Sequence, residues 1–287
     1  MSASTQVTST EADTTALRAL EAERPELGPW LRPLGIALTA AAREPWRSLA
    51  PRCPTIHENT APRLHHAIVP LDPLAARAHL HAIASVVLNA APLHDAMDVF
   101  ALLEAAVAND DDAIARLAAE AHIEAGKLAV VAQLTTFTLL QACARSLGYD
   151  PIPDWNLGYC PICGAQPALA EVLGLERRRC LRCARCGATW NATVLLCAFC
   201  GERDHEKLGS LVPAGRPGQL AWIETCRTCS GYLKVRAALR SASAAGVLVE
   251  DVRSVELDLV AQERGFQRPQ LGRFSVRLRL AHSSAHA

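Results

Sequence analysis

The sequence has no net charge and few aromatic residues. Its 29 basic and 29 acidic side chains cancel, and phenylalanine, tryptophan and tyrosine make up only 5% of its 287 residues. A neutral chain argues against bulk nucleic acid as the main partner, because proteins that bind it neutralise phosphates with an excess of lysine and arginine. The chain also lacks the uninterrupted apolar run of about 18 residues that a membrane-spanning helix requires. We therefore expect no membrane span.

The N-terminus lacks the pattern of a secretory signal. Residues 1–15 contain neither a basic segment nor an apolar segment. The longest apolar segment, residues 128–143, is interrupted by Gln133, three threonines and Gln141, and it predicts a buried helix. We expect a cytoplasmic protein, in which thiols stay reduced and paired cysteines bind metal or act in redox chemistry.

The two halves of the chain differ in charge and composition. Residues 1–150 carry 11 basic and 17 acidic side chains, whereas residues 151–287 carry 18 and 12. The first half is rich in alanine and has apolar residues at helical spacing. It predicts helices over 14–24, 29–49, 74–88, 93–107 and 110–146. Its isolated histidines and cysteines form no catalytic constellation, and we expect the protein not to be an enzyme.

Eight of the 11 cysteines lie in four Cys-x-x-Cys pairs within about 70 residues. The pairs are Cys160–Cys163, Cys183–Cys186, Cys197–Cys200 and Cys226–Cys229. Each pair forms a turn that directs two thiolates at one point, and two such turns complete a four-sulfur metal site. With few aromatic residues to build a core, this region needs the metal in order to fold. The eight cysteines therefore predict two metal sites.

Loop lengths favour pairing in sequence order. Loops of 19, 10 and 25 residues separate the successive pairs, and a ribbon needs roughly 15–20 residues for its hairpin. The first site then uses Cys160, Cys163, Cys183 and Cys186, and the second uses Cys197, Cys200, Cys226 and Cys229. Crossed pairing remains an alternative, as does a role for Cys180, which forms its own Cys-x-x-Cys with Cys183.

The predicted fold class is α+β: an N-terminal all-α helical bundle, then two rubredoxin/zinc-ribbon-like metal-binding modules and C-terminal helices. Short β-type runs lie at 169–175, 189–196, 208–212 and 220–224, and helices are expected at 234–245 and 252–262. The predicted domains are a disordered tail (1–15), a helical domain (16–154), a first ribbon (155–196), a second ribbon with C-terminal helices (197–270) and a tail (271–287).

The cysteine region resembles the FdhE-type formate dehydrogenase accessory proteins over roughly residues 155–270. The matching motifs include Cys160-Pro-Ile-Cys163-Gly164, Arg179-x-Leu181-x-Cys183-x-x-Cys186 with Trp190, Cys197-x-x-Cys200-Gly201 and Glu224-Thr225-Cys226-x-x-Cys229 with Tyr232-Leu233-Lys234. Further matches are Asp251, Leu257-Asp258, Glu263-x-Gly265-Phe266 and Arg268. The chain departs from the family pattern after Arg268, where the family has an Asn-Pro-aromatic segment.

The resemblance implies a cytoplasmic factor that binds the catalytic subunit of a respiratory formate dehydrogenase during its maturation. It also implies rubredoxin-like iron centres, although four thiolates are equally suited to zinc. Whether the chain forms a homodimer stays open.

Two other functions compete with this interpretation. Arg177, Arg178, Arg179, Arg182 and Arg185 surround the second cysteine pair, as in a nucleic-acid-binding zinc ribbon. The same arginines also suit an acidic protein surface, and the neutral total charge favours protein. A thiol-disulfide enzyme is disfavoured, because a redox Cys-x-x-Cys acts singly at a helix N-terminus.

Overall fold

The computed structural model describes residues 3–55, 60–89, 93, 97–148, 155–212, 220–269 and 274–283, with only the backbone described before residue 13. The chain divides into two compact units. The helical unit comprises Met1–Thr55, Arg63–Gly148 and Ser275–Ala287, and the cysteine unit comprises Ile56–Pro62 and Tyr149–Phe274. The predicted boundary at 154/155 falls beside residues 149–154, which lie outside the described residues.

Most helices lie before residue 148, and most strands lie between residues 167 and 238. In chain order the helices are α1 (Ala3–Glu23), α2 (Gly28–Ala41), α3 (Pro73–Leu88), α4 (Val99–Ala108), α5 (Asp111–Glu120), α6 (Ala125–Leu147), α7 (Gly246–Arg253) and α8 (Val255–Glu263). The strands are β1 (Ile68–Leu71), β2 (Pro167–Leu173), β3 (Arg178–Cys183), β4 (Thr189–Asn191), β5 (Leu208–Leu211), β6 (Ala221–Cys226), β7 (Tyr232–Ala238) and β8 (Arg279–His282).

Helix α6 forms the core of the helical unit and packs against α2, α3, α4 and α5. Among the described helices, it alone is long and apolar enough to cross a membrane, but 72% of its most apolar window is buried inside the protein. A helix that is apolar on all sides needs neighbours on all sides, and here protein helices provide them.

The single helix predicted over 110–146 is wrong, because α5 and α6 are separate. Helix α5 begins at the N-cap Asp110, whose carboxylate accepts from the Ala113 amide at 2.9 Å. It ends where His122 adopts a left-handed backbone with φ of 55°. The Ile123 amide then donates to the Ala118 carbonyl at 2.9 Å, which closes the helix end. Residues 121–124 between the two helices contain no glycine or proline, so the continuous apolar pattern predicted one helix.

Both predicted tails contain regular structure. Helix α1 begins at Ala3, within the segment expected to be disordered. Strand β8 lies within the predicted C-terminal tail and pairs in parallel with β1. Val276, Leu278 and Leu280 are buried, and this alternation is the period-2 signal of a strand with one buried face. The signal was present in the sequence but lies in a short segment.

A six-stranded sheet organises the cysteine unit in the order β4-β3-β2-β7-β6-β5. Strands β2 to β4 form one antiparallel half, and β5 to β7 form the other. The two halves join through parallel pairing of β2 with β7. The predicted mixture of helices and ribbon-like strands is therefore present, with the two ribbon-like halves combined in one sheet.

The helix predicted over 234–245 is wrong, because residues Tyr232–Ala238 form strand β7 at the centre of the sheet. Lys234 lies on this strand and is only 2% exposed. Its ammonium group contacts Asp251 and Asp258 at 2.7 Å each. Buried charges need such partners. A charged residue in a central strand is uncommon, so local patterning favoured a helix.

His79 is buried in the helical unit, with its Nε2 atom 2.8 Å from Thr138 Oγ1. The Thr138 hydroxyl donates to the Ala37 carbonyl at 3.1 Å. Because a hydroxyl carries one proton, the imidazole must be the donor in the first bond, and neutral His79 is protonated on Nε2. Burial lowers the pKa of His79 to about 4.

We predict that His79 makes the helical unit less stable on acidification between pH 6.5 and 4. The unfolded chain takes up a proton at the ordinary histidine pKa, whereas the folded chain does so only near the lowered value. The free energy of unfolding therefore decreases as the pH is lowered through this window, by up to about 3 kcal/mol. Thermal unfolding followed by circular dichroism should show a shallower pH dependence for His79→Gln, whose amide can also donate to Thr138. The exposed His282→Gln serves as control, and an unchanged slope in His79→Gln would contradict the prediction.

Candidate metal centres

The four cysteine pairs form the same backbone turn, which we call a knuckle. In each knuckle the amide of the first cysteine donates to the carbonyl five residues later. These bonds are Cys160 to Ala165 (2.7 Å), Cys183 to Ala188 (3.0 Å), Cys197 to Glu202 (2.9 Å) and Cys226 to Gly231 (2.9 Å). The repeated bond explains the shared spacing, because it closes a turn with both thiols on one side.

Each knuckle has a left-handed residue directly after its second cysteine. Three of these residues are glycines, Gly164, Gly187 and Gly201, with φ between 72° and 79°. The fourth is Ser230, with φ of 53°. Glycine adopts this conformation without steric cost, whereas serine does not. The Cys-x-x-Cys-Gly pattern in the sequence therefore reflects the backbone geometry of the turn.

The first cluster, site 1, consists of the four cysteines of the first two knuckles: Cys160, Cys163, Cys183 and Cys186. The Cys160 and Cys186 sulfurs are 3.5 Å apart, and so are those of Cys163 and Cys183. Three of the four cysteines have no exposed surface and the fourth, Cys163, has 1%. Site 1 is thus a closed cluster of thiols inside the cysteine unit.

The second cluster, site 2, consists of the four cysteines of the last two knuckles: Cys197, Cys200, Cys226 and Cys229. The sulfurs of Cys197 and Cys229 are 3.8 Å apart, and those of Cys200 and Cys226 are 3.7 Å apart. Cys229 is exposed and Cys200 half-buried. Site 2 has the same composition as site 1 but opens to solvent.

Both clusters fit a tetrahedral metal ion. Four sulfurs at 2.3 Å from a common centre lie about 3.8 Å from one another, and the short sulfur separations of 3.5–3.8 Å match this value. The structure groups the knuckles in sequence order, in the sets expected from loop length. Four thiolates suit either zinc or iron.

The thiols need a cation before they can all ionise together. Burial raises the pKa of both Cys160 and Cys186 well above the ordinary thiol range. Partial desolvation also raises the pKa of the exposed Cys229, to about 11. Four thiolates packed this closely repel one another. A bound metal ion removes this penalty, because metal coordination keeps thiolates deprotonated.

Cys180 lies outside both clusters. It is 2% exposed, and its sulfur lies 3.8 Å from Asn191 Oδ1 on the neighbouring strand β4. In the helical unit, Cys143 is buried and Cys53 is half-buried. None of these three cysteines joins a group of potential ligands among the described residues.

A buried ion pair supports site 1. Arg182 on β3 contacts Glu171 on β2 at 2.5 Å, and Glu171 has no exposed surface. Arg182 also donates to the Gly187 carbonyl in the second knuckle at 3.3 Å and to the Ala242 carbonyl at 2.9 Å. Although burial alone would raise it, the Arg182 charge and a hydrogen bond from Ser241 hold the pKa of Glu171 below its ordinary value. The pair therefore ties segment 241–243 to the second knuckle.

A second buried charge cluster supports site 2, and the sequence did not predict its assembly. Lys234 and Arg268 share the carboxylates of Asp251 and Asp258. The Tyr232 hydroxyl donates to Asp258 at 2.7 Å. Two cations and two anions balance, so the cluster is neutral overall. It ties α7, α8 and the segment containing Arg268 to strand β7.

This second cluster reaches site 2 through the backbone. The Gln267 amide, next to Arg268, donates to the Ser230 carbonyl at 2.8 Å. The Tyr232 amide in turn donates to the Gln267 carbonyl at 3.2 Å. The residues that resemble the family pattern at the C-terminus therefore hold the fourth knuckle in place.

Two arginines of the sequence cluster are not available for nucleic acid. Arg179 is 6% exposed and pairs with Glu224 at 2.6 Å. Arg182 is 2% exposed and pairs with Glu171. Arg177 and Arg178 remain exposed. The expected basic surface is thus smaller than the sequence indicates, which disfavours the nucleic-acid interpretation.

We predict that Arg182→Met lowers the free energy of unfolding by about 3 kcal/mol, because buried Glu171 would lose its 2.5 Å cation and keep only the longer 3.4 Å contact with Arg236. Arg178→Met, on the exposed end of the same strand, should change it by less than about 0.5 kcal/mol. Urea unfolding at matched metal content measures both effects. Glu171→Leu combined with Arg182→Met should recover part of the loss. Equal stability of the two single variants would show that the pair does not support the sheet.

Comparisons with known proteins agree with the resemblance expected from the cysteine motifs. Residues 195–274 match the family model described as FdhE, C-terminal domain. The chain is 35% identical over 117 residues to "Protein FdhE homolog" of Aquifex aeolicus, covering 39% of this chain and 40% of that protein. It is 34% identical over 114 residues to the homolog of Pseudomonas aeruginosa, covering 38% and 37%. The alignments thus span about two fifths of these relatives.

The fold is similar over a greater length. The crystal structure of the FdhE protein from Pseudomonas aeruginosa matches 92% of this chain and 94% of its own, with a TM-score of 0.56 and 19% sequence identity. At this identity the match concerns the fold. The resemblance to FdhE proteins is therefore confirmed, and the family-model match covers the segment that contains site 2.

Proposed function

We propose that this protein is an accessory factor for the maturation of a respiratory formate dehydrogenase, and that it acts in the cytoplasm by binding the enzyme's catalytic subunit. The match of residues 195–274 to the FdhE C-terminal domain carries the proposal. That segment contains all four cysteines of site 2 and the Asp251, Asp258 and Arg268 group. The matched residues thus include the cysteines of the candidate metal site and the charge cluster beside them.

We further propose that the eight paired cysteines bind two metal ions, one in each site. The sulfur separations and the all-thiolate donor set support this assignment. A bound ion would neutralise the thiolates and cross-link two knuckles from separate parts of the sequence. The family resemblance favours iron, and the donor set suits zinc equally well.

The metal content provides the first test. Elemental analysis of the full chain, purified without oxygen, should give about two ions per chain. Cys183→Ser and Cys226→Ser should each lower this number by about one, whereas Cys53→Ser should leave it unchanged. An absorption spectrum identifies the metal, because ferric tetrathiolate is red and zinc is colourless. Fewer than two ions in the unaltered chain would contradict the two-site assignment.

The partner provides the second test. The tagged full chain should co-purify with the catalytic subunit of a respiratory formate dehydrogenase from its own cells. Deletion of the gene should abolish formate dehydrogenase activity, and Cys53→Ser should restore it on complementation. Retention of activity after deletion would contradict the proposed function even if both metals are bound.

A further inference from the structure

We propose that the two metal sites differ in ligand exchange: site 1 is closed, whereas site 2 exchanges Cys229 for an external thiolate. The inference rests on the proposed binding of two metal ions. It adds a difference in ligand exchange between two sites whose four-cysteine ligand sets are identical. The exchanging group is a thiol, since only a soft sulfur ligand replaces a cysteine without changing the donor set.

The difference in exposure is the first observation. Cys160, Cys183 and Cys186 have no exposed surface, so an incoming ligand reaches site 1 only if the surrounding structure opens. Cys229 is exposed, and a ligand can approach its sulfur directly. Within site 2, Cys226 is 2% exposed, Cys197 is 8% exposed and Cys200 is half-buried. Exposure therefore identifies one ligand, Cys229, as the position of entry.

The surroundings of equivalent glycines give a second, independent observation. A Cβ atom placed on Gly187, which follows the second knuckle of site 1, would collide with Ala244. A Cβ atom on Gly201, at the same position of the third knuckle, would meet no atom within 4 Å. The chain around Ala244 thus lies against the second knuckle of site 1, whereas the same position of the third knuckle, in site 2, is open.

The chain beside site 1 is itself fixed by buried polar contacts. Arg182 donates to the Ala242 carbonyl at 2.9 Å, and the Ala242 amide donates to Glu171 at 2.9 Å. On the other side, the fully buried Trp190 donates from its indole nitrogen to the Leu157 carbonyl at 3.0 Å. Opening site 1 would break these contacts in a dry environment, which raises the cost of exchange.

Beside Cys229 the surface forms an open cleft of about 1110 Å³. Gln262, Phe266, Gln267 and Arg268 line it. The Arg268 guanidinium is held by Asp251 and Asp258, so the cleft has a fixed wall next to the exposed sulfur. A thiol-bearing group in the cleft can therefore approach Cys229 while the charge cluster keeps its arrangement.

The exchange is a balanced ligand substitution. The proton of the external thiol would pass through water to the departing Cys229 thiolate as the new sulfur takes its place. Site 2 would keep four sulfur ligands for the ion, with no change of oxidation state. Cys229 suits the leaving role because water hydrates its released thiol, whereas a thiol released in site 1 would remain in a dry interior.

Zinc release from the loaded full chain tests the proposal. In the presence of a chromogenic chelator and glutathione, about one zinc per chain should leave in a fast phase and one in a phase at least about tenfold slower. Iodoacetamide trapping with peptide mass spectrometry should identify Cys229 as the first alkylated site ligand. Raising the glutathione concentration should accelerate the fast phase alone.

Matched serine variants assign the two phases. Cys229 and Cys186 each end the second knuckle of their site. Cys229→Ser should remove or accelerate the fast phase and leave the slow phase within about twofold of the original rate. Cys186→Ser should affect only the slow phase. The alkylation map of the unaltered chain decides the question even if a variant does not fold.

Two results would overturn the inference in distinguishable ways. Two zinc ions released at one rate, or a site 1 cysteine alkylated before Cys229, would overturn the asymmetry and leave the two-site proposal intact. Binding of fewer than two ions would overturn the two-site proposal and the asymmetry together.

Discussion

Charge buried in matched pairs is the constraint on which the cysteine unit depends. Glu171 and Arg182 lie within the sheet, and Lys234 on strand β7 contacts Asp251 and Asp258 on helices α7 and α8. The first pair also ties segment 241–243 to strands β2 and β3, and the second group ties helices α7 and α8 to strand β7. Such pairs contribute little net stability but strongly disfavour arrangements that leave one charge alone. They specify where these segments sit, and so how accessible each cluster of thiols is.

The sequence predicted the features that depend on local chemistry. Cysteine spacing indicated which sulfurs meet, because a Cys-x-x-Cys turn is closed by its own backbone. The helix predicted over 74–88 is likewise present as α3, which begins at Pro73 with Asp72 as its N-cap, and the Asp72 carboxylate accepts from the Leu74 amide. These features need no information from distant parts of the chain.

The features that sequence reasoning missed depend on distant partners. Strand β7 contains Lys234 and Arg236, which appear suited to a solvated helix until Asp251, Glu171 and Glu250 are placed beside them. The parallel pairing of β2 with β7 joins segments more than 60 residues apart, and no local pattern specifies it. Strand β8 also pairs with a distant segment, since its partner β1 lies about 210 residues earlier in the chain.

The parallel pairing of β2 with β7 places both strands in one folding unit, the cysteine unit. The matched family segment begins at residue 195, in the loop between β4 and β5, and so it contains β7 without β2. Without β2, the isolated segment would expose the edge of β7, with backbone N–H and C=O groups that lack their hydrogen-bond partners. Such an exposed strand edge promotes self-association. The segment recognised by sequence similarity is thus smaller than the unit that folds, because its strand β7 pairs with β2, which lies outside the segment.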